Sequence, residues 1–572
     1  MKRLIYILVL LAGMLSLNSC SEFLDADNKS NVTSEAYFNT EAGFETLVNY
    51  AYAQLKPVYD QAIMFSSGTD LYHRGRNAMP DEGLHTYSGL TPENETVTNF
   101  YTNCYKGIQA ANCVLFYAQT TDADEAIINL RSAEAKFLRS LYYFELVQHF
   151  GGVPLVKEYV NSIVTEAPRN TTEEVYNYII SEMEALVADG SSLPATDVSG
   201  RVNKQAVFHY LAKVYLTAGW DLGNNAFFSN ASSNADKAIA LGSGLDETFE
   251  NLWLPANDNL HKEILFAVQY DRASSTAAGV AEDQNGNGAQ TIFGQYYGGA
   301  DQGYKNASSN FIPSEKLMYL FQPGDSRYEA TFMTKLYCTD EANPKTSGDY
   351  YAPYKGTAAD NYVSFYYPPH YASSANDIAV WRAEDPAHRT KTVVIPMAST
   401  TIHADKTPCS YFDAATTGDA VFGITCIRKF DDPESSYGNN TCYRDIVLAR
   451  LAETYLIASE AYLKAGNQAK ADEMINVVRE RAFRGSNAIY AKANINIDDI
   501  LNERALELAG EKLRWADLRR TGKLVEYNVA ANPELNSADD FKGNDGQLKL
   551  YRPIPQKAID LNSAEIQQNP GY

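Results

Sequence analysis

The sequence predicts a mainly α-helical protein, a scaffold of tetratricopeptide-like helical pairs carrying a large loop-rich insertion. Three observations predict it. Apolar residues recur at three- and four-residue steps over long segments of both the first and the last third of the 572-residue chain. Small residues, Ala and Gly, fall where such helices would cross, as in tetratricopeptide-type pairs. Between about 245 and 440 this texture gives way to Gly, Asn, Asp, Ser and Tyr with scattered Pro. The helical pairs are imperfect and widely spaced, so a scaffold is expected and not a regular solenoid.

At the N-terminus, Lys2 and Arg3 precede LIYILVLLAGMLSL, an apolar run of 14 residues. A membrane-spanning helix needs roughly 20, so the run reads as a secretory signal peptide. Leu17-Asn18-Ser19-Cys20 has the form of a bacterial lipobox, which makes Cys20 the acylated (palmitate-bearing) first residue of the mature chain. Each buried CH₂ contributes about 0.8 kcal/mol, so several acyl chains anchor firmly. SEFLDADNKSNVTS then reads as a tether.

A first helix is expected around Glu35–Leu55, followed by a Gly-, Pro- and Asp-rich loop and another helix from Phe100. In RSAEAKFLRSLYYFELVQHFGG, Phe137, Leu138, Leu141, Phe144 and Val147 line one face, and Gly151, Gly152 and Pro154 stop the helix. Thr171 and Glu174 form a capping box ahead of VYNYIISEMEAL. Helical pairs are expected near 100–130, 132–188, 203–241 and 446–484. The last shows Leu448, Leu451, Tyr455, Leu456, Tyr462 and Leu463 on its apolar face, then a turn at Gly466.

Composition narrows the function. The net charge of −23 argues against nucleic acid and anionic surfaces as ligands. Cys104 and Cys113 fall in one helical pattern, about 13 Å apart at 1.5 Å per residue, too far to bridge. Any disulfide would draw on Cys409, Cys426 and Cys442, with buried thiols the competing reading. No G-x-S-x-G elbow, H-E-x-x-H, C-x-x-C or phosphate-cradling glycine loop occurs. Asp283, Asn285, Asn287 and Gly288 match the first half of a calcium loop, but its twelfth position is Gly294 and lacks the bidentate carboxylate. A plain Asn-Gly turn is the simpler reading, so no cofactor is expected beyond what a structural calcium there would add. ERALELAGEKLRWADLRRTGKL concentrates Glu503, Arg504, Glu507, Glu511, Arg514, Asp517, Arg519 and Arg520. Charges three and four apart on a helix pair with each other, so this motif reads as structural, with Trp515 as a packing anchor.

Six segments in order resemble the SusD/RagB family of Bacteroidetes outer-membrane lipoproteins: SCSEFLD, RSAEAKFLRSLYYFELVQHFGGVPL, GRVNKQAVFHYLAKVYLTAG, RLAETYLIASEAYLKAGN, ERALELAGEKLRWADLRRTGKL and YRPIPQKAIDLNSAEIQQNPGY. The resemblance implies a SusD-like α-α superhelix and a non-enzymatic lipoprotein on the cell exterior. It would capture oligosaccharides for a SusC-like TonB-dependent transporter. A peptide-capturing RagB-like role is the alternative, and a surface glycosidase a more distant one. The expected organisation is a signal peptide at 1–19, a lipidated tether at 20–34, helical parts at 35–244 and 441–572, and a loop-rich ligand-facing region at 245–440.

Sugars present C–H faces that stack on aromatic rings, and hydroxyls that need planar carboxylate, amide or guanidinium partners. Thr69–Tyr87 offers Asp70, Tyr72, Arg74, Arg76 and Tyr87. The insertion offers Tyr296, Tyr297, Tyr304, Tyr366, Tyr367 and Trp381. Thirteen of the 40 tyrosines lie between Tyr296 and Tyr371, where about five would fall by chance. The resemblance implies that the loop after the first helix and the insertion both feed the ligand surface. Of the tryptophans, Trp381 is the expected stacking residue, while Trp220 and Trp253, beside helix ends, read as structural.

Overall fold

The computed structural model describes residues 34–75, 81–254, 262–272, 286–294, 310–338, 348–349, 362–396, 425–432 and 442–572. The principal helices are α1 (Ser34–Phe38), α2 (Glu41–Ala53), α3 (Glu95–Tyr117), α4 (Glu125–Phe150), α5 (Thr172–Val187), α6 (Lys204–Asp221) and α7 (Ala226–Ala240). After the insertion come α8 (Leu451–Lys464), α9 (Gln468–Ala482), α10 (Ile497–Leu508) and α11 (Arg514–Arg520). The strands are β1 (Tyr72–Arg74), β2 (Ile264–Val268), β3 (Phe311–Pro313), β4 (Lys335–Cys338), β5 (Gly348–Asp349), β6 (Val363–Tyr366), β7 (Val393–Val394) and β8 (Ile446–Arg450).

The helices from α3 to α7 pack each against the next, and α7 then packs against α8 and α8 against α9. The helical stack is therefore continuous in space although about 200 residues separate α7 from α8 in the chain. The expected face of α4, Phe137 through Val147, is fully buried. Phe137 meets Tyr210 of α6 and Phe266 of β2 edge-on at 5.4 and 5.3 Å. The capping box on α5 is present, with both Thr171 and Glu174 engaged. The single helix expected at 35–55 is instead two, α1 and α2. Thr40 breaks it: its extended backbone and a side chain accepting from Gly43 N start a new helix. Gly43 is required there, since a Cβ would lie 1.9 Å from the carbonyl oxygen of Tyr37.

The insertion leaves and returns through one antiparallel ribbon, β2 with β8. Leu451 N donates to Glu263 O (2.8 Å), and Arg450 pairs with Glu263 across the same doorway (3.2 Å). Beyond it, β5-β4-β6-β7 make a small sheet, and β1 pairs antiparallel with β3. Phe311, Ile312, Leu317, Phe332 and Ile427 bury against Ala505, Leu506 and Ala509 in and just beyond α10, which holds the insertion on the helical body.

The charged motif is structural, but its pairings differ from the expected ones. Only Asp517–Arg520 is a neighbour pair along a helix. The others reach across the fold: Glu503 to Arg327 and Arg479, Glu511 to Arg450 and Lys429, Arg504 to Glu453, Arg514 to Asp70, Arg519 to Asp221 and Arg520 to Glu460. All are buried. Taking a charge out of water is costly unless a partner meets it, so this network ties α10 and α11 to the insertion, to β8 and to α8.

Candidate functional site

The two stretches read from sequence as ligand-facing meet on the β1–β3 ribbon. Tyr72 stands opposite Pro313, His73 opposite Ile312 and Arg74 opposite Phe311. Beyond β1, Gly75 N donates to Asn310 O (2.9 Å), and Asn310 N donates to Ile292 O (2.9 Å). At the other end, Ser314 donates through its hydroxyl to Asp70 O (2.7 Å) and caps the short helix Glu315–Leu320. Gly75 and Asn310 thus stand together at one end of the ribbon, from positions more than 200 apart in the chain. Arg76, Tyr296, Tyr297 and Tyr304 lie outside the described residues, as do Cys20, Asp283 and Asn285.

At that end sits a polar cluster. Arg74, its side chain 23% exposed, grips Glu534 through Nε (3.0 Å) and Nη2 (2.6 Å) and also pairs with Glu82. Glu534 lies 3.3 Å from His85 Nε2. Burial alone would raise the Glu534 carboxyl, but hydrogen bonds from His85 and Arg74 outweigh it and bring it down to about 2. Burial, with His85 close by, lowers His73 to about 4, so His73 is neutral near pH 7. A guanidinium between two carboxylates, part open to solvent, offers the planar, charge-assisted hydrogen bonds that vicinal hydroxyls accept and donate. At the ribbon's other end the helix Glu315–Leu320 presents Tyr319, 45% exposed, with its ring 4.8 Å from His370. Lys316 on the same helix lies over the Tyr527 ring (3.3 Å) and pairs with Asp70 (2.7 Å).

Several expected ligand residues are instead committed to the core. Asp70 is 1% exposed and held by both Nε and Nη2 of Arg514 at 2.7 Å; burial opposes its charge, yet Arg514 and Lys316 keep its carboxyl below the usual range. Tyr72 is buried between Phe293 and Phe311, and its hydroxyl accepts from Gly510 N (2.6 Å). Tyr87 is fully buried, stacked on Phe541 at 4.0 Å; it donates to Gly68 O and accepts from Trp515 Nε1. These three are corrected from ligand contacts to packing residues. The cause is pairing with partners distant in the chain, Arg514, Gly510 and Trp515, which does not show in a loop-like composition.

Trp381 is corrected too. Tyr366 stacks on it at 4.2 Å and 20°, and His388 at 3.7 Å and 6°. Rings that close to one centroid cannot lie side by side on one face, so the indole is sandwiched and neither face is open to a sugar. It anchors the helix Ala375–Glu384, which has no fully buried residue. Tyr367, next to Tyr366 on the chain, is buried, and its amide donates to Thr334 O (2.8 Å). Asn287 is likewise spent: buried, it donates to Arg444 O and accepts from Ala289 N, so its side chain is not free for a metal. Trp220 and Trp253 are structural as read, Trp220 donating to Glu460 (2.7 Å) and Trp253 being buried.

Glu82, Glu534, Lys316, Tyr319 and His370 were not legible as site residues. Tyr319 carried one signal: within the Ser314-capped helix, Leu317 and Met318 form the buried side and Tyr319 falls off it. A cavity of about 590 Å³ lies elsewhere, between α2, α3 and residues 555–561. Its lining is largely apolar and lacks the planar acid–guanidinium set, so the ribbon is the better fit to hydroxylated ligands.

The structure is thus a helical stack with a polar and aromatic rim mounted on a short ribbon. The chain belongs to the SusD family, whose profile matches residues 262–572, and a second profile described as "Starch-binding associating with outer membrane" matches residues 22–216. It is 25% identical over 469 residues to the Starch-binding protein SusD of Bacteroides thetaiotaomicron, covering 80% of this chain and 75% of that one. It is also 25% identical to SusD-like protein P2 of Formosa agariphila, covering 99% of each. Among solved structures, a SusD homolog from Bacteroides thetaiotaomicron superposes with a TM-score of 0.70 at 18% identity, covering 95% of this chain and 99% of that one. A laminarin binding SusD-like protein superposes at 0.65 and 22% identity, covering 93% and 100%. No helix among the described residues is long and apolar enough to cross a membrane.

Proposed function

We propose that this protein is a cell-surface lipoprotein that captures oligosaccharides and passes them to a SusC-like TonB-dependent transporter in the outer membrane. The observation that carries the reading is the convergence at the β1–β3 ribbon, where Arg74, Glu82 and Glu534 stand at the end that carries Gly75 and Asn310. Arg76, Tyr296, Tyr297 and Tyr304 remain proposed ligand contacts, with Tyr319 added from the ribbon's far end. Starch and laminarin in the names of relatives support a glucan-type ligand. Acylation at Cys20 would hold the body at the outer face of the membrane. No cofactor or metal enters this reading.

Calorimetry on the soluble chain beginning at Ser21 tests it, against α- and β-linked glucan oligosaccharides, other plant and host glycans, and a peptide mixture. Micromolar binding of one glycan class without product release is expected, with Arg74→Ala and Tyr319→Ala each weakening it about tenfold, or ~1.4 kcal/mol. Binding of peptides alone would replace the glycan reading with the peptide one, and cleaved products would end the binding-protein reading.

A further inference from the structure

The 590 Å³ groove between α2, α3 and the C-terminal segment belongs to no site described so far. Its walls are Leu47 and Tyr50 of α2, Tyr101 and Tyr105 of α3, Tyr159 and Leu561. Tyr50 is 55% and Leu561 70% exposed, a large apolar area for a soluble body to leave in water. Lys106 and Lys557 also line it, and among the described residues neither meets a carboxylate. Two unpaired lysines beside an apolar groove, in a chain of net charge −23, select an occupant that is both apolar and acidic.

The chain itself supplies one. Ahead of Ser34, Phe23 and Leu24 are flanked by Glu22, Asp25 and Asp27. The described chain begins beside the end of α3: α1 packs on α2, and the Phe38 ring lies 5.3 Å from Tyr117, one turn from the groove-lining Cys113. At roughly 3.3 Å per extended residue, the eleven steps from Ser34 back to Phe23 reach about 36 Å. Thr98 to Cys113 spans only about 22 Å of helix. Tethering also raises the local concentration of the segment to the millimolar range. We propose that residues 21–28 dock in this groove, Phe23 and Leu24 among the tyrosines and the acids toward Lys106 and Lys557. Where Cys20 carries lipid, as proposed above, docking holds the groove face within a few residues of the bilayer and fixes how the body is presented.

Cys113 reports on the groove. The chain from residue 20, carrying Cys20→Ser, is alkylated with iodoacetamide and labelling of the Cys113 peptide is followed by mass spectrometry. Alkylation about tenfold slower than in the Phe23→Asp/Leu24→Asp variant is expected. That variant alters only residues ahead of α1, so circular dichroism should be unchanged. Lys106→Glu/Lys557→Glu should also speed labelling, and adding Glu22→Lys/Asp25→Lys should slow it again. Equal rates in all chains overturn the docking, as does protection that appears only when an oligosaccharide is added, which would give the groove to a glycan. Neither result depends on whether the ribbon binds glycan.

Discussion

Glu507 shows what the charged motif does residue by residue. Three guanidinium groups converge on its carboxylate: Arg450 at 2.6 Å, Arg327 at 3.1 Å and Arg481. Burial opposes its charge, but Arg481, Arg450 and Arg327 hold the carboxyl far below its ordinary range. Removing one partner of a buried set strands the others, so Glu507→Gln should cost ~3–5 kcal/mol, read as a lower urea midpoint. Glu534 makes a pH-dependent case. Its folded value, about 2, lies below the ordinary 4.5, so its contribution is present above 4.5 and is lost as pH falls toward 2. Glu534→Gln should therefore lower Tm at pH 6 and lose that deficit relative to the parent by pH 2. A deficit that persists at pH 2 would mean Glu534 acts through packing and not charge. From sequence the acids and arginines were evidently structural, but their partners were not readable, because pairs such as Asp70–Arg514 join residues 444 positions apart.

At the level of elements, helix crossings rest on small residues, as the Ala- and Gly-rich pattern implied. Gly107 of α3 faces the ring of Tyr142 on α4 so closely that a Cβ would stand 2.4 Å from Cζ. Tyr142 is fully buried and cannot swing away. Gly107→Ala should thus destabilise by ~1–3 kcal/mol despite alanine's better helix propensity, visible as a lower Tm. A gain in Tm would show that α3 and α4 can slide apart. Periodicity made helices such as α3 and α5 legible because each buries one stripe of a long element, whereas α4 and α8 are buried nearly all round over much of their length. The strands were harder. β1 and β3 have three residues each and sit in loop-like composition; Tyr72 and Arg74 share one face of β1, and it is the cover of Phe293 and Phe311 over Tyr72 that buries it while Arg74 reaches solvent.

Across the whole molecule, the scaffold was readable and the rim was only half so. The stack from α3 to α9 follows from amphipathic helices and short connections. That α7 and α8 adjoin across the insertion required the β2–β8 pairing, which lies far apart in sequence. The rim depends on which of many tyrosines face out, and composition identifies a tyrosine-rich stretch without saying which rings pack on one another. Trp381 is the clearest instance, an aromatic that looked available and is enclosed by two others.

The doorway formed by β2, β8 and the Glu263–Arg450 pair has an evolutionary consequence. Because both ends of the excursion are pinned together there, lengthening or rewriting what lies between costs little: doubling a flexible loop adds only about 0.6 kcal/mol of closure entropy. Provided Phe311, Leu317, Phe332 and Ile427 keep their seats on α10, the segments between can change while the frame is kept.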